Sequence, residues 1–146
     1  MSFIVVLSDD VSHQYNEPVI EGSFDLSGSH EKFSLALSYW SRGQYLESWR
    51  CSINAGLKIG QHTAIITSMR DPQNANFIPV WIFYHGGLEC FVQNKILFLQ
   101  DYGGEFNPNS VNSYIGQRET HNEDGARISE WVVPVQEVLA GFDALI

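Results

Sequence analysis

The sequence predicts an α+β domain, a mainly antiparallel β-sheet with flanking helices. Three observations carry this: strand-like apolar segments grouped in the middle of the chain, a capped amphipathic helix ahead of them, and a proline-initiated amphipathic helix behind them. Phe33 to Leu37 sets Phe33, Leu35 and Leu37 against Ser34 and Ala36, the period of a strand with one buried face. The helix after it starts at Ser41, and Gln44 three residues on completes a capping box. Leu46, Trp49, Ile53 and Leu57 then recur at helical spacing, with Gly60 as the stop. His62 to Met69, rich in Thr and Ile, is a strand ending at Asp71-Pro72, followed by a loop to Asn76.

Phe77 to His85 is apolar on both alternating faces, and Gly86-Gly87 joins it to Leu88–Gln93 as a hairpin. Pro79 cannot donate a ladder hydrogen bond, so it marks a bulge or an edge. Asn94-Lys95 is either a bend before a separate strand Ile96–Leu99 or the middle of one long bent strand, Leu88–Leu99; the pattern fits both. Asn107-Pro108 starts a short helix with Val111, Tyr114 and Ile115 on one face and Gly116 as stop. Ile128 to Val133 is a strand. Pro134 then opens a last helix whose stripe is Val135, Val138, Leu139, Phe142 and Ile146.

A length of 146 residues predicts one domain, 1–146, and 44% hydrophobic with 17% charged residues excludes a disordered tail. The formal charge is −9, from 17 Asp and Glu against 8 Lys and Arg. Such a surface repels phosphate backbones and attracts basic proteins. The acids fall into two groupings: Asp9, Asp10, Glu17, Glu21 and Asp25 early, and Asp101, Glu105, Glu119, Glu123 and Asp124 before the last strand. Met1 to Leu7 has too short an apolar run, with no basic flank, for a signal peptide or a membrane span, which predicts a cytoplasmic protein. In that reducing compartment Cys51 and Cys90 read as small buried hydrophobes and not as a disulfide or reactive thiolates.

No catalytic constellation, metal set or cofactor motif emerges. His121, Glu123 and Asp124 lie close enough in sequence to suggest a metal or a proton shuttle. A zinc site needs three or four ligands at defined spacings, however, and no Cys-x-x-Cys or His-Glu-x-x-His accompanies them. The His-x-Glu run lacks the downstream Pro-Cys-x-x-Cys of a deaminase. Gly86-Gly87 and Gly103-Gly104 have the spacing of turns, not of a phosphate loop. Tyr39, Trp40, Tyr45, Trp49 and Trp81 could stack on bases only beside a basic groove, which this chain lacks; for Trp49 and Trp81 the core is the expected place.

Several blocks resemble immunity proteins of bacterial contact-dependent growth inhibition systems, in particular those paired with ribosomal-RNA-cleaving toxins. The central block is Leu37-Ser38-Tyr39-Trp40 with Ser48-Trp49, Asn76-Phe77-Ile78 with Trp81 and Tyr84, and Val92-Gln93-Asn94 with Phe98. The C-terminal block is Arg118, Thr120-His121, Asp124-Gly125 and Ile128-Ser129-Glu130-Trp131. The resemblance runs from about Leu37 to Trp131; the first thirty-odd residues and the last helix match poorly. It implies a cytoplasmic, non-catalytic inhibitor of the toxic C-terminal domain of its cognate CdiA protein, a basic nuclease, with no cofactor and no direct contact to nucleic acid or membrane. It also implies an antiparallel sheet with packed helices, a fold likened to the single-strand nucleic-acid-binding Whirly proteins. A Whirly-like single-strand-binding module is accordingly the alternative function.

The carboxylates of the second grouping are the candidate toxin-binding residues, because they lie in loops, where binding residues concentrate. The candidate site is therefore Asp101, Glu105, Glu119, Glu123 and Asp124, with Tyr102 and His121 as anchors beside them. Trp131 is assigned to the core of the last strand.

Overall fold

The computed structural model describes residues 2–146 and contains two antiparallel sheets that share one core. Strands β1 (Phe3–Gln14), β2 (Glu17–Leu26) and β3 (Ser29–Ala36) form a three-stranded meander in the order β1-β2-β3. Helix α1 (Arg42–Ala55) leads to β4 (Thr63–Ile66), β5 (Phe77–Gly86), β6 (Glu89–Phe98) and β7 (Trp131–Pro134), the second sheet in that order, and α2 (Val135–Leu145) ends the chain. This is the expected α+β architecture.

The first sheet went largely unanticipated by the sequence pattern, which reached only the end of β3. Its two hairpins close through two-residue turns, Gln14 opposite Glu17 and Leu26 opposite Ser29. Tyr15 and Asn16 (φ 51° and 63°) and Ser27 and Gly28 (φ 55° and 93°) all take the left-handed backbone that matches such turns to strand twist. One face of the meander is apolar: Phe3, Val5, Leu7, Ile20, Phe24, Leu26, Phe33 and Leu35 are buried.

Phe24 is the hub of the core. Its ring lies 4.8 Å from Phe33, 5.3 Å from Trp81, 5.8 Å from Phe3 and 5.9 Å from Phe83. Phe142 of α2 completes the cluster, 5.4 Å from Phe3 and 5.7 Å from Phe83, and Trp49 of α1 reaches it at 5.9 Å. Most of these pairs cross edge-on or tilted, the arrangement the ring quadrupole favours. Buried hydrogen bonds fix α1 against the sheets. The Trp49 indole donates to the Ile66 carbonyl at 2.8 Å, and the Tyr45 hydroxyl donates to Ala36 (2.6 Å) while accepting from the Met69 amide (2.8 Å).

The capping box at Ser41 and Gln44 forms as expected. The α-helix stops at Ala55, short of Gly60, because Gly56 passes so close to the His62 carbonyl that a β-carbon there would lie 2.2 Å from it. One 3-10 turn then carries Leu57 to Gly60, which has φ 77°. The segment Pro108–Tyr114 is also 3-10 and not α-helical, kinked at Ser110. β4 is shorter than His62–Met69, and β7 begins at Trp131, later than Ile128. The open question at Asn94-Lys95 resolves as one continuous strand, β6.

Pro79 sits in β5 without a bulge in the β5–β6 register. Its carbonyl accepts from Thr67 on the β4 side at 3.3 Å, so its missing donor falls where β4 has already ended. No helix among the described residues is long and apolar enough to cross a membrane. Replacing Phe24 with Ala should cost about 3–5 kcal/mol, read as a lower urea midpoint with an unchanged slope; a loss below about 1 kcal/mol would show that Phe24 is not the hub.

Candidate functional site

All the candidate residues lie on one connection, Leu99 to Glu130, between β6 and β7. It is far longer than the roughly 12–15 residues beyond which a connection in a compact domain becomes unusual and is often functional. Its course follows from β5. Trp81 and Phe83 face the first sheet and α2, while Ile82 and Tyr84 face the other way beside Phe91 and Gln93 of β6, and that second face is what the connection covers. Phe106, Val111 and Ile115 are its buried anchors.

Polar fastenings hold the connection at two places. Near its middle, the Asn112 carboxamide accepts from the Ala64 amide (2.7 Å) and the Ser52 hydroxyl (2.8 Å) and donates to the Ser52 carbonyl (3.0 Å). Near its end, the fully buried Gln93 donates to the Glu119 carbonyl (2.8 Å) and to Glu130 Oε2 (2.7 Å). Arg118 grips Glu130 with two bonds, 2.8 and 2.5 Å, and lies 3.9 Å over the Phe91 ring. The Arg118 guanidinium holds the Glu130 carboxyl below the usual carboxylate range, and Glu130 raises Arg118 in turn. Burial, reinforced by the charges of Glu119 and Glu130, pushes the neighbouring Tyr84 hydroxyl up.

Between Glu119 and Glu130 the chain forms a small hairpin carrying most of the candidates. His121 bridges Arg127, Ile128 donates to the Thr120 carbonyl (2.9 Å), and the Asn122 side chain accepts from the Asp124 and Ala126 amides at 3.0 Å each. Gly125 closes the turn with φ 81°. Glu123 and Asp124 stand exposed at the tip, with Glu119 and His121 exposed at the base. His121 Nδ1 shares a 2.9 Å hydrogen bond with the Thr120 hydroxyl.

Asp101 and Glu105 are exposed on the earlier part of the connection, and no hydrogen bond among the described residues joins them to the hairpin. Tyr102 is half-buried, its ring edge-on to Tyr114 at 4.8 Å, with Phe106 against the same ring at 4.8 Å. It packs the loop and offers a partner only part of its surface. Asp101, Glu105, Glu119, Glu123 and Asp124 have no Lys or Arg within 4 Å among the described residues. In the first acidic grouping Glu17 is committed to Arg70 (2.6 Å) and Ser38 and Glu21 accepts from Gln14 (2.8 Å), while Asp9, Asp10 and Asp25 likewise have no Lys or Arg within 4 Å among the described residues.

Trp40, Tyr45, Trp49 and Trp81 are each 9% exposed or less, so no base can stack on them. Trp131 is half-buried against Trp81 at 5.4 Å. Cys90 is buried, and burial pushes its thiol up to about 12; Cys51 is exposed, contrary to the expectation that both cysteines are interior. Among the described residues no three His, Cys, Asp or Glu side chains are placed to share a metal ion. Asn112, Gln93 and the Arg118–Glu130 pair are the residues sequence reasoning did not single out for the site. Arg118, Gln93 and Glu130 stood only as motif positions, and Asn112 carried no signal, since its partner Ser52 lies sixty residues away.

The structure is thus a two-sheet domain with a long, carboxylate-bearing connection fastened over one sheet face. The profile of the CdiI N-terminal domain matches residues 35–141, and the chain belongs to this family of CdiI immunity proteins, which is not a family of enzymes. It is similar to the immunity protein CdiI of Enterobacter cloacae subsp. cloacae, with 36% identity over 129 residues, 88% of each chain. It is also similar to a chain of the solved CdiA-CT/CdiI toxin and immunity complex from Enterobacter cloacae. That match has a TM-score of 0.90 and 34% identity and covers 98% of this chain and 97% of that one.

Two outcomes are expected. Asn112→Ala leaves the Ala64 amide without its acceptor and should cost about 1–3 kcal/mol, with faster amide exchange along the connection; unchanged exchange there would show that Asn112 is not the fastening. Because the folded pKa of Glu130 is depressed, its contribution is complete above the unfolded value, about 4.3, and disappears as pH falls through the folded one. Glu130→Gln should therefore be less stable than wild type at neutral pH and approach it in acid, measured by thermal melts across pH 2–7. A stability difference that stays constant with pH would overturn the assignment.

Proposed function

We propose that this chain, acting in the cytoplasm as a single domain spanning 1–146, binds the C-terminal toxin domain of its cognate CdiA protein and neutralises it. We propose further that the toxin is a nuclease cleaving ribosomal RNA. Family membership supports the reading, and so do the likenesses to the Enterobacter cloacae immunity protein CdiI and to a chain of a solved CdiA-CT/CdiI complex. The observation that carries the site is the set of exposed carboxylates without ion-pair partners on the fastened connection: Asp101, Glu105, Glu119, Glu123 and Asp124.

A nuclease must hold RNA phosphates with Lys and Arg. Carboxylates at the same surface substitute for those phosphates, compete with RNA, and accelerate encounter through long-range attraction. His121 and the exposed part of Tyr102 add donors and apolar area beside the charge. The fastening matters because a prearranged loop loses little conformational freedom on binding.

The test is the dissociation constant for the cognate CdiA C-terminal domain, with a parallel RNA-cleavage assay. Nanomolar affinity with loss of cleavage is expected; no binding, or binding that leaves toxicity intact, overturns the proposal. The Glu119→Ala, Glu123→Ala, Asp124→Ala triple variant should associate at least about tenfold more slowly at low ionic strength, with the difference shrinking as salt screens the field. Equal association rates at low salt would remove the hairpin from the interface.

A further inference from the structure

β6 is only half covered by its neighbour. β7 pairs with Glu89–Val92, opposite Pro134–Trp131, and goes no further. Hydrogen-bond parity shows what lies beyond. Leu99 donates to the Asn76 carbonyl across the β5 side, and Val135 donates to the Leu88 carbonyl across the β7 side. Even-numbered residues of β6 therefore address the β7 position and odd-numbered ones address β5. Lys95 and Leu97 are satisfied by β5, whereas the amides and carbonyls of Asn94, Ile96 and Phe98 point into the place β7 does not reach. Among the described residues no hydrogen bond meets them there.

The chain does not complete this edge itself. If β7 were extended backwards, Ser129 would face Asn94, but Ile128 is bonded to Thr120 in the hairpin, which draws the chain off the sheet. Beside the polar, exposed Asn94, the open stretch carries apolar, half-exposed side chains: Ile96 at 47%, Phe98 at 50%, and Phe77 opposite Phe98 at 50%. They lie on the face of Trp81 and so continue the Trp81–Trp131 contact outward. Proteins normally blunt such an edge with charge, proline or a cover.

We propose that the edge of β6 at Asn94–Phe98 takes an extended, basic segment of the toxin domain as an added β-strand, an inference that rests on the toxin-binding reading above. Only an extended backbone can satisfy donors and acceptors that alternate along an edge, and its alternate side chains then cover Phe77, Ile96 and Phe98. The ends of the slot select a basic segment. The Gln93 end is occupied by Glu119 and Glu130 and leads into the Glu123–Asp124 hairpin, and the Phe98 end runs into Asp101. Lys95, between them, projects to the opposite face from the apolar strip. A second copy of this chain, itself carrying −9, is the less favourable occupant.

The experiment is amide hydrogen exchange of the full chain, free and with the cognate CdiA C-terminal domain, alongside the affinity of Ile96→Pro. The amides of Asn94, Ile96 and Phe98 should exchange fast in the free protein and slow at least tenfold in the complex, while Lys95 and Leu97 are already slow when free. Ile96→Pro removes only an outward donor, so it should keep its fold, read by circular dichroism and melting temperature, and bind at least tenfold more weakly. If this variant does not fold, the exchange pattern of the wild-type chain decides alone. Tight binding without that alternating protection overturns the added strand and leaves the toxin-binding function standing. Absence of wild-type binding overturns the function and the strand together. The same protection in the free chain with a dimer on sedimentation would assign the edge to a second copy, overturning the proposal.

Discussion

β5 has to be buried on both faces, and the rest of the molecule is arranged to do so. Ile78, Val80, Trp81, Ile82, Phe83 and Tyr84 are each 5% exposed or less, so one face cannot be left to water as in a simple antiparallel sheet. The first face is met by a second sheet, which brings Phe24 against Trp81 and Phe83, and by Phe142 of α2. The second face has no sheet or long helix to meet it. The Leu99–Glu130 connection does that work, with Phe106, Val111 and Ile115 as its apolar contribution.

A cover that is mostly irregular backbone must place its polar groups with care, because each one buried without a partner is destabilising. Asn112 answers that requirement from the cover, reaching into α1 and β4, while Gln93 donates from β6 into the cover although its own Oε1 has no partner among the described residues. The Arg118–Glu130 pair, with Glu130 only 7% exposed in its side chain, is stabilised by the Gln93 bond and by Arg118 lying on Phe91. These contacts leave the carboxylates of Glu119, Glu123 and Asp124 unspent. The acids that face solvent are thus separate from the acid that holds the loop, although all lie within one short stretch of sequence.

What was legible in the sequence was what local chemistry determines. The Ser41 capping box, the both-faced strand Phe77–Gly86 and the stripe of the last helix all act within a few residues, and each appears; the hairpin after that strand also forms, but with its two-residue turn at Gly87-Leu88, one residue later than Gly86-Gly87. The N-terminal meander shows alternation in Phe3, Val5 and Leu7, but its turns are Tyr15-Asn16 and Ser27-Gly28, and only Asn and Gly in them announce positive φ. The start of β7 was misplaced because Ile128 looks apolar enough for a strand yet is bonded into the hairpin. At the site the residue types were readable and their grouping was not. Glu119, His121, Glu123 and Asp124 share a hairpin, while Tyr102 is turned toward Tyr114 by packing that no spacing encodes.

Charge and edge answer different needs of an inhibitor. A surface at −9 attracts cationic proteins in general, and the attraction weakens with salt and reads no side-chain order. Discrimination between similar basic partners requires a contact that fails when its geometry is wrong. A strand edge has that property: its donors fix the register of an added strand, and a one-residue slip presents the wrong side chains to Phe77, Ile96 and Phe98. The two features also adjoin, because Gln93, the first β6 residue beyond the β7 pairing, is the one that ties down Glu119 and Glu130. The residue just past the covered part of the strand therefore also holds the base of the acidic hairpin, so a partner drawn to the carboxylates arrives beside the unpaired backbone.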